Sequence, residues 1–65
     1  MNKPVKILYT NYRGETSIRT IIPKQLTFGS NEYHKEEQYL LIAHDADKNA
    51  ERTFAMKDIK AWWTE

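Results

Sequence analysis

Apolar and polar side chains alternate at the start of the chain, and that period of two constrains the fold more than any other feature. Val5, Ile7 and Tyr9 fall on one side of an extended segment, with Lys6 and Thr10 on the other. This is the pattern of a half-buried strand rather than a helix. Leu8 breaks strict alternation and predicts partial cover on the second face. A first strand is therefore expected over residues 4–10, followed by a hairpin loop at 11–15 in which Gly14 is free to take a positive φ. Residues 16–22 are rich in β-branched side chains and are expected to pair antiparallel with the first strand. Pro23 has no backbone donor, so it marks an edge, a bulge or a sharp bend. Residues 24–29 read as a continuation of the same strand beyond it.

The second half repeats the pattern. Residues 30–38 form a polar loop whose one large apolar side chain is Tyr33. Tyr39, Leu40, Leu41, Ile42 and Ala43 then run without interruption, which suggests a central strand at 38–44 covered on both faces. A turn at 45–49 leads to a strand at 51–56, with Phe54 and Met56 inward and Arg52 on their side. Residues 57–60 read as one helical turn and 61–63 as a last short strand. Turn signals at about ten-residue spacing indicate a small barrel or sandwich. A strand bent at Pro23 favours closure, because closure removes exposed edges. The expected fold is all-β: a small five-stranded SH3-like (Sm-like) barrel with one short helical turn near the C-terminus.

Sixty-five residues make one small domain, with no room for a second core or a usual enzyme scaffold. At 40% hydrophobic the chain is globular rather than disordered. The absence of cysteine excludes disulfides, thiolate zinc sites and thiol catalysis together. No apolar run approaches the roughly 20 residues of a membrane helix, and no signal peptide opens the sequence. A soluble, cytoplasmic protein with no membrane partner is expected. A core this small rarely supplies more than about 3–5 kcal/mol. Stability then rests on β-packing of two Trp, four Tyr and two Phe, or on self-association, so a homodimer is a candidate assembly.

Several short motifs together resemble the WYL domain family. They are Ile7-x-Tyr9, Gly14-Glu15, Arg19-x-x-x-Pro23, Tyr39-Leu40-x-x-Ala43-x-Asp45 and Arg52-x-Phe54-x-Met56-x-x-Ile59. Their order covers nearly the whole chain, so residues 1–65 are taken as a single WYL-like domain. The sequence departs from the family at two places. Gln38 stands where the motif's tryptophan would be, and Lys57-Asp58-Ile59 replaces the usual Asp-Arg-Ile. The resemblance implies an SH3-like β-fold and a module, bacterial or phage in type, that binds a nucleotide-like ligand or single-stranded nucleic acid and switches an attached domain. It carries the ligand-binding positions to Arg19, Tyr39 and Arg52.

Charge supports the same region. Residues 1–31 hold Lys3, Lys6, Arg13, Arg19 and Lys24 against Glu15 alone, whereas the remaining half is acidic. Such a half forms a modest basic surface able to attract phosphates, or ordinary solubilising charge. On a β-surface, Arg19 and Arg52 can grip phosphate bidentately or lie flat on a base. Tyr39 or Tyr9 beside them supplies a stacking face, and Arg13 in the hairpin loop adds a further candidate contact. The alternative is that these arginines pair with Glu51, Asp58 or Glu15 and hold the sheet surface together. Trp62 and Trp63 face opposite ways on a strand, one capping the core and the other left as a candidate interface anchor for a protein partner or a second copy.

Other chemistry finds no support in the residues. Asp45-x-Asp47-x-Asn49 begins like a calcium loop, but Ala50 and Met56 occupy the positions that need Gly and Glu. His34 and His44 have no metal-ligand spacing. Ser17, Ser30 and Thr53 lack an evident base, and no phosphate-cradling glycine motif is present. No catalytic residue, metal or cofactor is assigned, and a non-enzymatic protein is expected.

Overall fold

The alternating segments become the strands of one antiparallel sheet. A computed structural model of the chain describes residues 3–32 and 34–64, and Tyr33 of the polar loop lies outside them. The strands are β1 (Val5–Thr10), β2 (Thr16–Gly29), β3 (Gln38–Asp45), β4 (Ala50–Ala55) and β5 (Ile59–Trp63). A 3-10 turn, Met56–Asp58, joins β4 to β5, one residue earlier than the helical turn expected from sequence. The spatial order is β4-β3-β2-β1-β5. Neighbours in sequence are neighbours in the sheet, except that β5 returns to pair with β1.

The chain is thus all-β with almost no helix. β4 and β5 lie at opposite edges and no ladder joins them, so the sheet is not closed. Pro23 does not end β2. The register shifts between Pro23 and Gln25, a bulge of the kind that bends a strand while sparing proline a ladder bond. β2 therefore pairs with β1 through its first half and with β3 from Ile21 to Gly29.

Cross-strand partners share a face, which explains the core. Val5 pairs with Ile21, Leu41 with Phe54 and Tyr9 with Ile59. Ile7, Tyr9, Ile21, Leu41, Ala43 and Phe54 form the buried cluster, with Val5, Met56 and Ile59 packed against it. Ile7 and Ile21 are wholly buried, each contributing about 1.5–3 kcal/mol by transfer. Leu40 and its partner Ala55 are buried on the opposite face, so β3 is covered on both sides there.

Two turns hold the ends. Asn11 accepts from the amides of Arg13 and Glu15 through Oδ1, at 2.9 and 3.0 Å. Gly14, at φ 80°, closes that hairpin in the left-handed region that glycine adopts without strain. Between β3 and β4, Asn49 takes φ 51°, and the amide of Ala46 donates to the Thr20 carbonyl at 2.9 Å, pinning the turn to β2.

Candidate ligand cleft

At one end of the core face the apolar packing gives way to charge. Arg19 sits opposite Ile7, so its side chain lies on the core face of β2. Its Nη1 donates to Asp45 Oδ2 at 3.0 Å, and its Nε donates to Ser17 Oγ at 3.1 Å. Asp45 is wholly buried. Its other oxygen, Oδ1, accepts from the amides of Asp47 and Lys48 at 3.0 and 3.2 Å. One carboxylate thus holds both the guanidinium and the turn that follows β3. Asp47 adds a further tie, accepting from the Thr20 amide at 3.2 Å.

Around this pair lies an open cleft of about 490 Å³, within the roughly 300–1,000 Å³ typical of small-ligand sites. Three separate segments wall it. Asn11 and Tyr12 come from the hairpin loop, Asn31, Glu32 and His34 from the loop before β3, and Lys48 and Arg52 from the turn and β4. Tyr9 and Phe54 form part of its lining and pack edge to face, with ring centroids 4.9 Å apart at 86°. Burial pushes the Tyr9 phenol above its ordinary range, opposed by the Ala55 backbone hydrogen bond and by Arg19. Tyr9 is buried, so it is a floor to the cleft rather than an open stacking face.

Arg52 completes the arrangement. It lies opposite Ala43 on the core face of β4, is exposed, and makes no hydrogen bond or ion pair among the described residues. The cleft therefore holds one guanidinium fixed by a carboxylate and one left to solvent.

Of the candidate site residues, Arg19, Arg52 and Tyr9 meet in this cleft. Tyr39 and Arg13 do not line it. Tyr39 is 59% exposed beside Phe28, itself 60% exposed, the two rings meeting at 5.0 Å and 68°. Alternation from the buried Leu41 does put Tyr39 on the core side, but β4 has already ended opposite Leu40, so nothing covers it from there. Arg13 lies exposed in the hairpin turn. Trp62 faces the side of Ile7 and Trp63 the side of Lys6. They are 45% and 37% exposed, so neither is the buried cap expected of one of them.

The partner of Arg19 is Asp45, not Glu51, Asp58 or Glu15; Glu51 instead meets Lys24 at 3.2 Å. These pairs run from the basic first half to the acidic second half, so the strand pairing mixes the two in space. Asp45, Lys48, Tyr12 and His34 were not among the sequence candidates. The signal that marks Asp45 is its place just before a four-residue turn, where an Asp side chain caps backbone amides.

Among the described residues no group of three or more His, Asp or Glu side chains is arranged to hold a metal ion. No helix there is long and apolar enough to cross a membrane. Comparison with protein-family models, curated proteins and solved structures finds no match.

Proposed function

We propose that the chain is a non-enzymatic binding module of WYL type, cytoplasmic, whose cleft takes a nucleotide-like ligand or one end of a single-stranded nucleic acid. The observation that carries this reading is the pairing within one cleft of a buttressed Arg19 and an Arg52 with no partner among the described residues, over an aromatic floor. The ligand's phosphate is held between the two guanidinium groups, and its ring lies against Tyr12 and the Tyr9–Phe54 floor. Arg19, fixed by Asp45, loses little rotamer freedom on binding. Arg52 supplies donors that make no bond to the described residues. The strand order, with one long strand shared by both ends of the sheet, supports an SH3-like (Sm-like) arrangement, and the module would act by switching an attached domain.

Titration of isotope-labelled protein with adenosine monophosphate at low salt tests the reading. Amide shifts should cluster at Arg19, Arg52 and Tyr12, and Arg52→Ala should remove them. Shifts scattered over the surface, or binding indifferent to Arg52, would end it.

A second reading rests on β5. It is an edge strand with both tryptophans exposed, a combination suited to pairing with a second copy or with an extended peptide. Sedimentation across a concentration series separates the two: a dimer that dissociates on Trp62→Ala with Trp63→Ala favours assembly.

A further inference from the structure

The charges around the cleft nearly cancel. Arg19 is matched by Asp45 and Glu51 by Lys24. What remains on the lining is Lys48 and Arg52 against Glu32, two cations and one acid, with His34 counted as neutral. The N-terminal basic excess that the sequence displays is therefore not delivered to the cleft. An excess of one positive charge offsets part of the roughly −2 of one phosphomonoester and leaves most of the charge of a longer phosphate chain uncompensated beside Glu32. An open cleft of about 490 Å³ walled by three separate segments also matches one nucleotide unit rather than a continuous strand. Sequence-independent strand binding instead runs along an extended positive groove.

We infer that, if the cleft is the binding site proposed above, it selects a mononucleotide bearing a single phosphate and discriminates against nucleoside polyphosphates and nucleic-acid strands. Arg52 and Arg19 bind the phosphate, and Glu32, the one acid of the lining without a matching cation among the described residues, is the specificity-determining residue that repels further anionic groups. Selectivity here comes from a repulsive element as much as from an attractive one.

The test compares adenosine, AMP, ATP and a short oligodeoxythymidylate by calorimetry and amide shifts at low salt. AMP is expected to bind about tenfold more tightly than ATP, with adenosine weaker than AMP. Glu32→Gln should close the AMP–ATP gap to a few-fold, a change that a purely structural role for this loop residue would not produce. ATP or the oligonucleotide binding more tightly than AMP, with shifts still at Arg19 and Arg52, overturns the selectivity and leaves the site standing. Absence of shifts at those residues with every probe overturns both.

Discussion

Asp45 and Arg19 form an ion pair of 3.0 Å between a wholly buried carboxylate and a guanidinium whose side chain is 21% exposed. The two belong to strands that are adjacent in the sheet but 26 residues apart in the chain. The pair joins the fold to the cleft, since the same carboxylate also caps the turn after β3.

Removing the charge of Asp45 should therefore cost stability. A buried pair broken at one partner typically loses about 3–5 kcal/mol, and the access of Arg19 to water places Asp45→Asn nearer about 2–3 kcal/mol. Asp45→Ala also strips the turn amides of their acceptor and should cost about 1 kcal/mol more. Urea unfolding followed by circular dichroism measures both. If Asp45→Asn were as mild as a surface change, the pair would not be holding this end of the sheet.

Arg52 should behave in the opposite way. It is exposed and bonds to nothing among the described residues, so Arg52→Ala should shift stability by no more than about 0.5 kcal/mol. Its loss should nevertheless weaken AMP binding about tenfold, equivalent to about 1.4 kcal/mol. A variant that unfolds more readily yet binds normally would reverse the roles assigned to the two arginines.

The contrast between these arginines shows what the chain discloses before folding. Alternation in Val5–Tyr9, the glycine at position 14 and the unbroken run from Tyr39 to Ala43 each depend on local geometry, and the strands follow from them. Arg19 and Arg52 fall on the core face because each lies two positions from a buried residue, Ile21 and Phe54. Strand order depends on pairings distant in sequence, and so does the pairing of Arg19 and Lys24 of the basic half with Asp45 and Glu51. The place where the core stops is equally non-local: Tyr39 has the right parity for the core but extends past the last residue of β4. Pro23 is local in the same sense as the strands: a bulge is one of the three forms its missing donor allows, and the strand continues through it to Gly29 as the residues after it suggest.

Tyr39 should consequently be dispensable for ligand binding. Tyr39→Ala is expected to leave AMP affinity within about twofold and to remove only the edge-to-face contact with Phe28. Such pairs contribute about 0.5–1.5 kcal/mol, and the exposure of both rings places this one at the lower end. A double-mutant cycle of Tyr39→Ala and Phe28→Ala gives the coupling directly. Strong loss of AMP binding in Tyr39→Ala would move the site away from the cleft and towards the end of the β2–β3 ribbon.

Tyr9 sets an alkaline limit on the fold. Its phenol has an ordinary value of 10.0, and burial raises it in the folded chain; the Ala55 backbone hydrogen bond lowers it, Asp58 adds to the rise and Arg19 opposes it. The folded value therefore exceeds the unfolded one, and the unfolded chain loses this proton first as pH rises. The corresponding stabilisation is complete below pH 10.0, declines as pH climbs through the unfolded value, and is gone above the folded one. Tyr9→Phe lacks this proton, so its stability should fall less steeply between about pH 9 and 11, whatever the offset between the two proteins at neutral pH. Urea midpoints for both proteins across that range measure the difference in slope, and parallel curves would mean that the phenol ionises as freely in the fold as in the unfolded chain.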